Sequence, residues 1–371
     1  MNHLVARPRG NLGRIAKQVW RGIPYLKKEI ARNLSVRTGR VLATPQMYYL
    51  IYSGRCNVAC TFCTIYKLVE PALSGEVSLR LVREAWELSG SGFNMSIVGG
   101  EPMIYKPLYD LLELAHKLKA NVGFTTNGYL LTKQNVARAL AADPFNINVS
   151  IESVAPEVNE AVRPRKNGTQ QTLDGIDNLV LEKRRTRARV ALMVKTTIME
   201  QNYRTLPELV RYFSRYPEVQ VSLQPYFGPI DSGFWVKDVD AFERVMTEVK
   251  GLHASGARVM ADSGTLDGFT NYFRNPPKSG STARLNLDGQ KRGCDIGYRS
   301  LSIYPNGGVQ FCDLLEQDIG NVHQQSLKEM YYGEVANRLR TRITTCNIDC
   351  QRTCQRSIPL SSKVRAFLRM G

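Results

Sequence analysis

The chain has 371 residues, of which 43% are hydrophobic and 22% charged, and its formal net charge is +17. That balance excludes a disordered or fibrous chain and supplies enough apolar side chains for a sizeable core. No apolar run approaches the roughly 18 residues that a membrane-spanning helix needs. The excess of positive charge calls for an anionic partner or surface without naming it.

Residues 1–44 form the first of four expected units. Residues 1–42 carry ten Lys or Arg and one acid, Glu29. Leu12, Ile15, Val19, Ile23, Leu26, Ile30 and Leu34 recur at three- and four-residue steps, which is helical amphipathic spacing. Arg14, Lys17, Arg21, Lys28 and Arg32 fall on the other side. Gly22-Ile23-Pro24 divides the stretch into two helices, with Pro24 near the start of the second. Two roles compete. One is a helical cover whose apolar face packs on the barrel and whose polar face is in water. The other is a basic amphipathic helix lying on an anionic membrane surface. Nucleic acid ranks below both, because no zinc-finger, RNA-recognition or helix-turn-helix pattern is present.

Residues 1–13 lack the apolar core of an export signal. The expected location is therefore the reducing cytoplasm, with peripheral contact at the inner membrane surface raised by the basic N-terminus. In a reducing compartment, clustered cysteines bind metal more often than they form disulfides.

Over residues 45–230, short apolar strands alternate with helical stretches. The strands are expected at Met47–Tyr52, Met95–Val98, Val122–Thr126, Ile147–Ile151, Val190–Thr197 and Val219–Leu223. Helices are expected at Leu79–Leu88, Tyr105–Leu118, Thr132–Ala142, Gln170–Lys183 and Tyr203–Phe213. Such alternation predicts an α/β fold with a parallel sheet. In parallel α/β sheets, ligands bind at the carboxyl ends of the strands.

The loop after the first strand carries Cys56, Cys60 and Cys63 within eight residues. Iron–sulfur clusters usually take four cysteine ligands. Three thiolates can hold three irons of a 4Fe–4S cube and leave the fourth open to a small molecule. A structural zinc site is the competing reading, but zinc sites usually space their cysteines in close pairs.

At these residues the chain resembles the radical S-adenosylmethionine (SAM) superfamily, whose signature is Cys-x3-Cys-x2-Cys; Phe62 before the last cysteine fits it. The resemblance implies a partial (β/α)6 barrel related to the TIM barrel. It also implies SAM and a SAM-binding 4Fe–4S cluster as cofactors. Gly99-Gly100-Glu101-Pro102, closing the second strand, resembles the family segment that contacts the amino group of SAM. On chemical grounds the glycines would admit a ligand close to the backbone, and Glu101 would accept from an ammonium group. Thr125-Thr126-Asn127-Gly128 closes the third strand, which makes Asn127 a cofactor-binding candidate. Ser150 and Glu152 lie at the end of the fourth, on one face by alternation. By resemblance, one or both hydrogen-bond the SAM ribose. Arg163 and Gly168 belong to a stretch similar to a segment that folds over SAM. Lys195 on the fifth strand is a further candidate.

Residues 231–293 read as a helical and loop connection, with a polar loop at Asn275–Ser281. Residues 294–371 hold Cys294, Cys312, Cys346, Cys350 and Cys354. Ser302–Phe311 reads as a hairpin with an Asn-Gly turn. This pattern resembles the C-terminal SPASM or twitch module of the superfamily, a small α+β unit carrying auxiliary clusters. Five cysteines suffice for one auxiliary 4Fe–4S cluster with one cysteine left over.

The implied activity is reductive cleavage of SAM to a 5′-deoxyadenosyl radical that abstracts hydrogen from an unactivated carbon. A flavodoxin- or ferredoxin-type protein would supply the electron. The basic termini favour an anionic small molecule, a sugar, a glycan or a membrane-associated lipid-linked intermediate, oxidised or epimerised. The alternatives are maturation of a ribosomally made peptide and a non-catalytic iron–sulfur electron carrier. Against the peptide stands the short stretch before the first strand, about half of the roughly 80 residues of a peptide-recognition domain.

Overall fold

The structure is a computed structural model that describes residues 26–275, 294–312 and 317–344. Its first element is a helix over residues 26–38, α1. Six parallel strands follow: β1 (Met47–Ile51), β2 (Asn94–Val98), β3 (Asn121–Thr126), β4 (Asn146–Ser150), β5 (Ala191–Ile198) and β6 (Val219–Pro225). Between them run α2 (Gly75–Ser89), α3 (Leu108–Lys117), α4 (Lys133–Ala141), α5 (Pro156–Val162), α6 (Gly168–Thr186) and α7 (Leu206–Ser214). This is the partial (β/α)6 barrel that the alternating pattern and the resemblance imply.

Local chemistry fixes these elements. The Ser74 hydroxyl accepts from the Val77 N–H and starts α2; Thr132 does the same for α4 through Asn135. An accepting hydroxyl at such a position satisfies a helix donor that otherwise has no partner. Leu81, Val82, Ala85 and Leu88 turn one face of α2 into the core. Buried pairs on the strands, such as Val122 with Phe124 and Ile147 with Val149, meet those helical faces.

The sheet does not end at β1. A short helix, α10 (Ile296–Arg299), leads into β7 (Ser300–Ile303), which pairs parallel with β1, Tyr48 opposite Leu301. β8 (Gly308–Gln310) and β9 (Gly320–Asn321) then add antiparallel strands, giving the order β6-β5-β4-β3-β2-β1-β7-β8-β9. The expected hairpin is therefore present. Its turn runs Tyr304-Pro305-Asn306-Gly307, with the Gly307 N–H donating to the Tyr304 carbonyl at 2.9 Å. Gly307 takes φ +82, a value L side chains avoid.

Two helices, α8 (Val239–Ala254) and α9 (Ser263–Arg274), fill the connection that the sequence pattern marked only as helix and loop. They bury Phe242, Phe269 and Phe273 beyond β6. Most of the polar loop Asn275–Ser281 lies outside the described residues. The C-terminal unit ends in α11 (Leu327–Tyr332) and α12 (Glu334–Thr344). Residues 1–25, with the first of the two expected basic helices, also lie outside the described residues.

α1 corrects the expectation of an apolar face packed on the barrel. Its inward face is polar: Glu29, Arg32 and Ser35 are buried. Arg32 pairs with Asp295 at 2.6 Å and with Glu29. Ser35 accepts from the Leu42 and Ala43 N–H groups. Leu26, Ile30 and Leu34 face outward. The ion pairs of Arg32 with Glu29 and Asp295 decide the orientation, because stripping two buried carboxylates of this cation costs more than leaving three aliphatic side chains partly wet.

Candidate active site

All three cysteines of the loop after β1 line one cavity at the carboxyl ends of the strands, enclosing about 610 Å³ with its open mouth. Cys60 is buried; Cys56 and Cys63 are half-buried. The loop is pinned from two sides. The Thr61 N–H donates to the Val162 carbonyl at 3.0 Å, tying the loop to the end of α5. On the other side, the Gly100 N–H donates to the Ser53 carbonyl at 2.7 Å and the Glu101 N–H to the Arg55 carbonyl at 2.9 Å.

That second tie gives the glycines a different reason from the one expected. A Cβ on Gly100 would lie 1.7 Å from the Arg55 carbonyl oxygen, and one on Gly99, at φ +125, would lie 2.6 Å from that of Ser53. The glycines let two loop backbones meet. Both also line the cavity.

Glu101 is held by protein donors as well. One carboxylate oxygen accepts from the Met103 N–H at 3.0 Å and from the Thr126 hydroxyl at 2.7 Å. The other accepts from the Asn127 N–H at 2.8 Å. Glu101 braces the loops after β2 and β3 to each other, and it also lines the cavity. Burial pushes its carboxyl above the usual range, opposed by those donors. Pro102 starts a short turn behind it, buried and away from the cavity lining.

Asn127 reaches the cysteine loop directly. Its side-chain amide donates to the Asn57 side chain at 2.6 Å, and its carbonyl oxygen accepts from the Tyr129 N–H. Ser150 lines the cavity, as expected of a residue at the end of β4. Glu152 does not. One of its oxygens takes both Arg163 donors, at 2.6 and 3.1 Å, and the other accepts from the Thr197 N–H at 2.6 Å. Both oxygens of Glu152 are therefore engaged, one by Arg163 and one by the Thr197 backbone.

Arg163 lies between that carboxylate and the cysteine loop, with its other terminal nitrogen 3.5 Å from the Cys60 sulfur. Burial works against the guanidinium charge, but Glu152 more than offsets it and holds Arg163 protonated. The same guanidinium stands 5.6 Å from the centre of the Phe62 ring. Burial pushes the Cys60 thiol up to about 11, against the opposing pull of Arg163. Gly168 is buried at the start of α6, and Lys195 sits opposite Ser150 on β5; neither lines the cavity.

Thr126 and Tyr66 line the cavity without having been singled out from the sequence. Tyr66 follows Cys63 by three residues, one helical turn, which is the signal that marks it. Thr126 carried no such mark, because its role is to donate to Glu101.

The donor set fits an iron–sulfur cluster. Three thiols from one eight-residue loop line a single cavity. Among the described residues, no three Cys, His, Asp or Glu side chains converge closely enough to chelate one ion. In the C-terminal unit, Cys294 lies two residues before α10 and Cys312 two residues after β8, both packed against the core. Cys346, Cys350 and Cys354 lie outside the described residues.

A barrel whose first loop presents three thiols to a cavity, with a hairpin unit added to its sheet, defines an iron–sulfur enzyme scaffold. Comparison with known proteins makes the class specific. The family model described as Radical SAM superfamily matches residues 50–217, and that described as SPASM, an iron–sulfur cluster-binding domain, matches residues 294–355. The chain belongs to the radical SAM superfamily and carries a SPASM domain. It is 25% identical to an AdoMet-dependent heme synthase of Oleidesulfovibrio alaskensis, over 74% of this chain and 71% of that protein. It is also 25% identical to the mycofactocin maturase MftC of Mycobacterium tuberculosis, over 72% of this chain and 65% of that one.

The fold is similar to Streptococcus suis SuiB bound to S-adenosylmethionine: TM-score 0.64, 18% identity, 86% of this chain and 73% of that one. SuiB bound to precursor peptide SuiA gives a TM-score of 0.62 at 16% identity, over 92% and 74%. The cofactors of the chain are SAM, a SAM-binding 4Fe–4S cluster and auxiliary iron–sulfur. The expectation of a sugar, glycan or lipid-linked substrate draws no support from these relatives. No helix among the described residues is long and apolar enough to cross a membrane.

Proposed function

We propose that the chain is a radical SAM maturase that removes a hydrogen atom from a peptide. Cys56, Cys60 and Cys63 hold the SAM-binding cluster, and the auxiliary cluster takes four of Cys294, Cys312, Cys346, Cys350 and Cys354. SAM bound at the reduced first cluster supplies a 5′-deoxyadenosyl radical, and a flavodoxin- or ferredoxin-type protein supplies the electron. The observation that carries the reading is the convergence of the three thiols on one cavity with Gly99, Gly100, Asn127 and Ser150.

Within that cavity each residue has a positioning task. Glu101 fixes the loops after β2 and β3 to each other, so SAM meets a surface already in place. Asn127 ties that surface to the cysteine loop. Ser150 presents a hydroxyl to the sugar. Arg163, kept charged by Glu152, sets a fixed positive charge beside one sulfur ligand. The peptide class is supported by the maturase name of MftC and by the precursor peptide seen on SuiB. The heme synthase relative marks the competing class.

The test is isotopic. Reconstituted protein is incubated anaerobically with SAM, a reductant and peptides carrying deuterium at side-chain and Cα positions. Deuterium is expected in 5′-deoxyadenosine from one peptide class. SAM cleavage without deuterium transfer from any peptide would reject the peptide reading, and absence of cleavage would favour the electron carrier.

A further inference from the structure

We infer that the outer face of α1 is a docking surface for a bilayer bearing anionic headgroups, whatever the substrate of the active site. The observation is an inverted helix. On a 100° step per residue, Glu29, Arg32 and Ser35 occupy one side of α1, and Leu26, Ile30 and Leu34 the side opposite. The first set is buried and the second is exposed at 38%, 45% and 44%. Leu42, just beyond the helix, is 52% exposed. The buried set is locked to Asp295 and to the Leu42–Ala43 backbone, so the helix cannot roll its apolar side inward without breaking a buried ion pair.

Charge selects the occupant. Lys27, Arg37 and Arg40 are exposed around the same stripe, and none pairs with a carboxylate among the described residues. Upstream in the sequence, Arg14, Lys17 and Arg21 add positive charge, with no acid before Glu29. A second copy of this surface, or residues 1–25 of the same chain, would bring basic groups against basic groups. An anionic bilayer supplies both an apolar boundary and countercharge, and a basic helix with an exposed apolar stripe suits that interface.

Co-sedimentation of the full-length protein with vesicles tests this. Binding is expected to vesicles of phosphatidylcholine with phosphatidylglycerol, and to be weak with phosphatidylcholine alone. Leu26→Gln/Ile30→Gln/Leu34→Gln should lower the partition coefficient at least about tenfold, because three aliphatic side chains lose their place at the interface. Lys27→Gln/Arg37→Gln should lower it about fivefold for each charge removed. The thermal transition and SAM cleavage of both variants should match those of the parent, since the altered side chains are exposed. Failure of the parent protein to bind phosphatidylglycerol vesicles overturns the inference. So does equal binding by the triple variant, or a dimer that the triple variant converts to monomer without any vesicle binding.

Discussion

Two cysteine-bearing corners of this molecule are braced by the same device and used differently. At the mouth of the barrel, Arg163 pairs with Glu152 and reaches the sulfur of Cys60. At the start of the C-terminal unit, Arg32 pairs with Asp295, the residue after Cys294. Both pairs are buried, with side chains at most 9% exposed. In the first, donor and acceptor come from the barrel itself, and the spare donor of the arginine is spent on a thiol. In the second, the arginine arrives from a helix outside the barrel and fastens that helix to the module. A buried pair is weak evidence for net stability, since desolvation offsets much of its attraction. The contrast teaches that such a pair is best read by what its third contact touches: a sulfur in one corner, a docked helix in the other.

The comparison is broken most severely at the backbone. Gly100→Ala puts a methyl group onto the Arg55 carbonyl, a backbone atom that cannot step aside. The loss of first-cluster iron should be near complete, with the C-terminal cluster retained; iron and sulfide analysis with electron paramagnetic resonance checks this. Unchanged iron content would mean that the loop contact is dispensable.

Arg163→Met leaves Glu152 charged and unpaired and should cost about 3–5 kcal/mol in folding stability. It should also shift the reduction potential of the first cluster downward, because a positive charge beside a sulfur ligand favours the reduced state. Denaturant melts and spectroelectrochemical titration separate the two effects. Arg32→Met should cost about 3 kcal/mol, because buried Glu29 loses its ion pair with Arg32 and Asp295 keeps, among the described residues, only Arg299, and it should leave the first-cluster potential where it was. A shift there would erase the distinction between the corners.

A smaller effect concerns loading. With burial pushing Cys56 up and Cys60 up to about 11, the uncomplexed thiols hold their protons at neutral pH, and ligation must release them. Iron uptake during reconstitution should therefore keep rising from roughly pH 7 to 9, where these thiols are still protonated and each must release its proton to bind. Flat uptake across that range would show that the loop is not held as it is here before metal arrives.

Much of this was legible in the chain. The six barrel strands follow from short apolar runs, and their observed limits differ from the expected ones by at most a residue or two, as with Ala191–Ile198 against Val190–Thr197. Thr132 at the head of α4 and the Asn306-Gly307 turn were readable because their chemistry is local. The parallel pairing of β7 with β1 was not, since the two strands lie some 250 residues apart and nothing in either announces the other. The direction of α1 was misread for a related reason. Periodicity identifies its apolar stripe but not the distant Asp295 that claims the polar side.

At the site, residue types pointed to the right cavity but did not show which protein groups hold its carboxylates. Glu101 and Glu152 were expected to meet the cofactor; both also accept from protein donors, Glu101 within the cavity lining and Glu152 outside it. Distinguishing a carboxylate that binds from one that braces requires knowing which N–H groups surround it, and those come from β3, α5 and β5.

The account depends on an iron that the three cysteines leave open for SAM. The direct measurement is electron–nuclear double resonance of the reduced, reconstituted protein with SAM labelled with 15N at its amino group and 17O at its carboxylate. Strong hyperfine coupling of both labels to the first cluster, absent in Cys60→Ala, is the predicted result. A reduced cluster whose spectrum ignores labelled SAM at saturating concentration would contradict it.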